Sequence, residues 1–164
     1  MRIHNAHERF LPAPPEEVGR LLDGLSGSAD PLWPTGHWPP MRFDRPLGPG
    51  AAGGHGPIRY RVEEYDPGRR VRFRFTGPPG LDGIHEFTVT EVPGGSRLRH
   101  SIEGAACGRM RAAWPLLYRP LHDALVKDAL DKAEAAVSGG TPREPSWSWW
   151  VRRLRAMAAR RSPR

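Results

Sequence analysis

One cysteine, Cys107, is all that these 164 residues contain. An internal disulfide and a cysteine metal cluster are therefore excluded, and a single thiol fits a reducing compartment. Long apolar runs are also missing. The longest, Ala112 to Tyr118, falls far short of the roughly 20 residues that cross a bilayer. Met1 to Phe10 hold no apolar stretch of the kind a secretory signal needs, so the expected location is cytoplasmic. Gly-x-Ser-x-Gly does not occur, and Cys107 stands in no acid–base context. The glycine-rich run Gly48-Pro49-Gly50-Ala51-Ala52-Gly53-Gly54-His55-Gly56 is followed by neither Gly-Lys-Ser/Thr nor a helical pattern, so it is not a phosphate loop. It reads instead as a hairpin or a loop over a cavity mouth.

What is present is an ordinary single-domain composition, 38% hydrophobic and 26% charged. The formal charge is +7, a value that invites a nucleic-acid reading until it is located. Residues 138–164 hold seven arginines against Glu144, whereas the preceding 137 residues hold 18 basic and 17 acidic side chains. The basicity belongs to a tail, the domain shows no basic stripe, and no nucleic-acid partner is expected.

The richest pattern runs from Pro57 to Gly104. Ile58, Tyr60 and Val62, then Phe73 and Phe75, then His85, Phe87 and Val89, then Leu98, His100 and Ile102 recur at period two. The alternate positions carry Arg59, Arg61, Arg70, Arg72, Arg74, Glu86, Arg97 and Arg99. Such alternation describes an antiparallel sheet with one wet and one dry face. Asp66-Pro67-Gly68, Gly77-Pro78-Pro79-Gly80 and Pro93-Gly94-Gly95 supply the turns. A turn centred on Gly94-Gly95 sets Val89 opposite His100 and Phe87 opposite Ile102. Before this block, Arg2 to Leu11 reads as a strand with Ile3, Asn5, His7 and Arg9 on one side. Pro14-Pro15-Glu16-Glu17 then opens a short amphipathic helix carrying Val18, Leu21, Leu22 and Leu25, which stops at Ser26-Gly27-Ser28. Pro31 to Gly56 is irregular, with a short strand possible within Met41 to Leu47. Near the other end, Pro115 and Pro120 oppose an unbroken helix. The main helix is expected from about Pro120, after a kinked turn at Leu116 and Leu117, with Leu121, Ala124, Leu125, Ala129, Ala133 and Ala136 buried, and with its end at Gly139-Gly140.

Strand, short helix, glycine-rich hairpin, antiparallel meander and long C-terminal helix is an α+β order. It resembles the START-like (SRPBCC, Bet v 1-like helix-grip) superfamily, and in particular its bacterial polyketide cyclase/dehydrase-like members. The resemblance rests on Phe10-Leu11-Pro12-Ala13-Pro14-Pro15-Glu16-Glu17-Val18 and on Tyr60-Arg61-Val62-Glu63-Glu64-Tyr65-Asp66-Pro67-Gly68-Arg69. His85-Glu86-Phe87, Gly94-Gly95-Ser96-Arg97-Leu98 and Pro120-Leu121-His122-Asp123-Ala124-Leu125 complete it. It implies a curved sheet of six to seven strands wrapped around the C-terminal helix over residues 1–137. It further implies an internal cavity for a lipid- or polyketide-like molecule. These signatures describe architecture and not a reaction.

Candidate cavity residues are Tyr60, Phe73, Phe75, His85, Phe87, His100, Trp114, Leu121 and Leu125, with Trp33 and Trp38 as a possible lid. A cavity imidazole, His85 or His100, would serve a cyclase or dehydratase as acid or base, with Tyr60 as a hydrogen-bond donor. The alternative is that each histidine is a buried group bonded to backbone, or one that only shapes the polarity of the cavity. On the expected register the two lie four residues apart, on the order of 13 Å, too far to share a metal. His4 and His7 face opposite sides of a strand, and His122 either caps the pocket or lies exposed. No metal and no cofactor are expected.

Residues 138–145 read as a Gly/Pro linker, and residues 146–164 as a basic, tryptophan-rich amphipathic tail. In helical projection Trp147, Trp150, Val151, Leu154, Met157 and Ala158 gather on one side, with Arg152, Arg153, Arg155 and Arg160 opposite; Trp149 and Arg161 break the pattern. Indoles beside arginines suit an anionic membrane surface or a protein partner. The alternatives are a disordered extension or a helix packed on its own domain. Three functions follow: binding of an apolar metabolite, a cyclase or dehydratase, and a membrane-associated lipid carrier.

Overall fold

The structure, a computed structural model, describes residues 1–159. The end of the basic tail, with Arg160, Arg161 and Arg164, lies outside the described residues.

Alternation along the chain becomes a seven-stranded antiparallel sheet in the order β1-β7-β6-β5-β4-β3-β2. The strands are β1 (Arg2–Leu11), β2 (Arg42–Phe43), β3 (Ala52–His55), β4 (Ile58–Asp66), β5 (Arg70–Gly77), β6 (Leu81–Val92) and β7 (Gly95–Ala106). The glycine run supplies β3, which joins the sheet beside β4. On the outer face Arg72 bridges Glu86 and Glu64, Arg74 meets Glu63, and Arg97 and Arg99 meet Glu8. The inner face carries Tyr60, Val62, Val71, Phe73, Phe87, Val89, Leu98 and Ile102, all buried.

The last turn corrects the expected register. Val92 pairs with Gly95, so Pro93 and Gly94 form the turn, with Gly94 at φ +83°. Proline's fixed φ suits the first central position, and the second needs a positive φ that glycine adopts without strain. His85 therefore opposes Ile102 and Phe87 opposes His100. A two-residue slip leaves every side chain on its face and moves it along the sheet. His85 and His100 become diagonal neighbours, not groups about 13 Å apart.

Helix α1 (Pro15–Asp23) starts with proline in its first turn and Glu16 and Glu17 beside it, as expected. It ends earlier than Ser26, where Asp23 Oδ1 accepts from the Tyr65 hydroxyl at 2.9 Å and the Gly68 amide at 2.7 Å. The C-terminal helical rod begins with α2 (Met110–Ala113), passes through a π-helical turn (Trp114–Tyr118) and continues as α3 (Arg119–Ser138). In that turn the Arg119 amide reaches back five residues to the Trp114 carbonyl. Pro120 has no N–H for the Leu116 carbonyl four residues earlier. That oxygen accepts instead from Trp150 Nε1 at 2.9 Å.

α3 is buried on two sides. Leu125, Val126, Ala129 and Ala133 are enclosed as core residues, but so are Asp128 and Asp131, while Ala136 is exposed. The chain beyond α3 explains this difference. Gly139, at φ +66°, closes the helix in a left-handed conformation. Residues 141–148 run without regular structure, and α4 (Trp149–Ala159) lies back against α3. Val151 and Leu154 are buried there. Trp147 Nε1 donates to Asp128 Oδ2 at 2.9 Å, and Arg155 lies 3.7 Å from the centre of the Trp147 ring. Leu154 and Trp147, expected to face a membrane or partner, are thus turned onto their own domain. Among the described residues no helix is long and apolar enough to cross a membrane.

Candidate functional site: a row of enclosed histidines

Five of the seven histidines meet beneath α3, contributed by β1, β3, β6, β7 and the helix itself. His55 Nδ1 lies 3.0 Å from the Tyr60 hydroxyl, and the Tyr60 ring sits 4.7 Å from that of His85. His85 Nδ1 and His100 Nε2 face one another at 3.4 Å. The His100 ring is 4.9 Å from His122, which is 6.0 Å from His7. His7 Nε2 closes the row at 2.9 Å from Asp123 Oδ1, which also accepts from Asn5 Nδ2 at 2.8 Å.

This neighbourhood disfavours charge on the imidazoles of His55, His85, His100 and His122. Burial pushes His55 down to about 3 and takes His85 and His100 well below the ordinary range, with the other histidines pushing the same way. Burial lowers His122 as well, against the opposing pull of Asp123. At Asp123, burial alone would raise the carboxyl, but His122, His7 and Asn5 outweigh it and hold the group below its usual range. The Tyr60 hydroxyl is pushed up by burial. At neutral pH His55, His85, His100 and His122 are therefore neutral imidazoles, and Asp123 at the end of the row is a carboxylate. His85 Nε2, His100 Nδ1 and both ring nitrogens of His122 are enclosed without a hydrogen-bond partner among the described residues.

The aromatic candidates surround this row. Phe73 and Phe75 stack on either side of His85 with centroids 4.7 and 4.8 Å away, and Phe87 meets His100 edge-on at 4.5 Å. Trp114 and Leu125 are buried, and Leu121 is half-buried. Rings thus fill much of the interior between sheet and helix. A cleft of about 430 Å³ lies further out, between β1, the start of α3 and the tail, and is lined by His7, Asp123, Leu130, Trp147 and Val151 among others. Trp33 and Trp38 are both buried. Trp33 Nε1 donates to the Pro39 carbonyl, and Trp38 Nε1 to Asp128 at 2.7 Å. Of the tail residues, Trp150 is bonded to Leu116, Arg155 covers Trp38 and Trp147, and Arg152 and Arg153 remain exposed.

Residue reading alone missed Asn5, His55 and Asp123, and considered His7 only as a partner of His4. One signal was available. Asn5 and His7 are polar residues at inward positions of β1, where an apolar side chain would be expected unless something polar faces it.

Residues 2–138 match the protein family described as polyketide cyclase/dehydrase and lipid transport. The chain belongs to this family. A comparison with curated proteins finds no match. Among solved structures the fold is similar to CalU16 from Micromonospora echinospora, at 16% identity over 96% of this chain and 92% of that one, with a TM-score of 0.57. It is also similar to Ara h 8.0201, at 14% identity over 85% and 100% of the two chains, with a TM-score of 0.60. The di-domain ARO/CYC StfQ of the steffimycin biosynthetic pathway aligns at 13% identity over 85% of this chain, which spans about half (51%) of StfQ, with a TM-score of 0.63. At these identities the likeness shows the helix-grip fold alone. Membership of the polyketide cyclase/dehydrase and lipid transport family accounts for residues 2–138, and the docked tail lies beyond them.

Proposed function

We propose that the protein binds a small, largely apolar molecule of lipid or polyketide type between the sheet and α3, with His85 and His100 as its polar contacts. The observation that carries this reading is the pair of enclosed nitrogens, His85 Nε2 and His100 Nδ1, that have no partner among the described residues. An enclosed polar atom without a partner costs about 1–3 kcal/mol, and a ligand hydroxyl or carbonyl would remove that cost. Phe73, Phe87 and Trp114 occupy much of the interior, so entry requires α3 or α4 to move outward from the cleft beside β1.

Native mass spectrometry of the protein purified from its own cell tests the reading. A retained organic mass, released on denaturation, is expected, together with faster amide exchange in α4 during loading. A chain that carries no such mass and binds no member of a lipid and polyketide panel overturns it.

A second reading, a cyclase or dehydratase, is favoured by the neutrality of His85 and His100, since a neutral imidazole accepts a proton where an imidazolium cannot. The double variant His85→Phe/His100→Phe separates the two. An enzyme loses turnover and keeps its substrate affinity, whereas a binding protein loses affinity by about tenfold or more, as one lost hydrogen bond to each histidine implies.

A further inference from the structure

The two readings above leave the outer end of the row unused. There His122 has two enclosed nitrogens without a partner among the described residues, and so has Asn5 Oδ1 beside it. We propose that His7, His122 and Asp123 form a binding site for a divalent first-row transition metal of the zinc class, open to the cleft between β1, α3 and the tail.

Each of the three residues offers one ligand atom, and the three atoms lie within 4.8 Å of one another. His7 Nε2 is 2.9 Å from Asp123 Oδ1, and His122 Nδ1 is 3.8 Å from the same oxygen. Zinc bonds of about 2.0–2.1 Å place neighbouring ligand atoms roughly 3.4 Å apart, so the His7–Asp123 pair must open by roughly half an ångström and the wider separations must close by up to about an ångström. His7 and Asp123 are the partly exposed members and have room to do so. Two imidazoles and a carboxylate suit zinc and its neighbours in softness, and three protein ligands leave a fourth position for water or substrate. His7 and Asp123 line the cleft, which places that fourth position at its inner end. Asn5, already donating to Asp123 Oδ1, holds the carboxylate from outside the ligand set.

One neighbour competes. Arg119 Nε lies 3.7 Å from Asp123 Oδ2, but its side chain is largely exposed and the pair is a surface one. Nothing in this assignment depends on the organic ligand, so either proposal can fail alone.

Calorimetric titration of the full, chelator-treated chain with zinc(II) alone is the test, with cobalt(II) absorption as a report on geometry. One metal per chain and a tetrahedral cobalt spectrum are expected. His7→Ala and Asp123→Asn should each weaken binding by at least about tenfold, the smallest loss seen even for outer-shell partners. His4→Ala, on the outer face near Glu103, should leave it unchanged. Zinc should raise the melting temperature of the parent chain and of His4→Ala but not of His7→Ala, a comparison that holds even if one variant folds less well. Absence of saturable binding, or binding indifferent to both His7→Ala and Asp123→Asn, overturns the site.

Discussion

His100 is held by Phe87 on one edge, His85 on another and His122 above, and burial keeps all three imidazoles neutral. This has a consequence for stability. Unfolded imidazoles titrate near 6.5, whereas in the fold His55 titrates near 3 and His85 and His100 well below their ordinary value. Their contribution is therefore fully present above about pH 6.5 and is lost as the pH falls towards the folded values. Each neutral imidazole adds a slope of about 1.4 kcal/mol per pH unit. Urea denaturation from pH 7.5 to 5 should show a falling midpoint, and His85→Phe/His100→Phe should flatten the curve. At pH 7 the double variant should lie within about 1 kcal/mol of the parent, because both unsatisfied partners leave together, while His100→Phe alone should cost about 1–3 kcal/mol by stranding His85 Nδ1. A double variant as pH-sensitive as the parent would contradict this account.

At the scale of elements, the sequence of α4 leaves open a membrane, a partner or its own domain as the cover for its apolar side, and in the fold the cover is its own domain. Val151 and Leu154 are each 5% exposed, and Asp128, on α3, accepts the indole N–H of both Trp38 and Trp147. Leu154→Ala should cost about 2–5 kcal/mol, the usual range for a buried leucine, against almost nothing for a residue facing solvent or lipid. Asp128→Ala should cost on the order of 3 kcal/mol by leaving the buried Trp38 N–H and the half-buried Trp147 N–H without an acceptor. Both are read from denaturation midpoints, and a Leu154→Ala chain as stable as the parent would show that α4 is not docked. The π-helical turn belongs to the same joint, because Trp150 reaches the Leu116 carbonyl that Pro120 leaves open.

For the whole molecule, the sheet and its covering rod bring together residues separated by up to 125 positions, as between Arg9 and Glu134. The outer cleft, the row and the tail form one continuous region, because Asp123 and Trp147 line the same cleft. Removing residues 141–164 should therefore do more than delete a tail. It should unstopper Trp38 and Asp128, lower the denaturation midpoint and speed amide exchange along α3. Unchanged exchange in α3 would assign the tail no structural part.

Alternation at period two determined β1 and β4 to β7 with their wet and dry faces, because a side chain's face depends only on its position in its own strand; β3 formed within a glycine run that carries no such alternation. The same rule put His85 and His100 on the inner face. It did not determine how far along the sheet they sit from one another; the turn at Pro93-Gly94 decided that by moving one strand two residues past the other. The strand pattern put Asn5 and His7 on one face of β1, but what faces them, together with the parts played by His55 and Asp123 and the docking of α4, was decided only in three dimensions. No local spacing links them, and a helix with an apolar side carries no record in its sequence of whether lipid, a partner or its own domain will cover it.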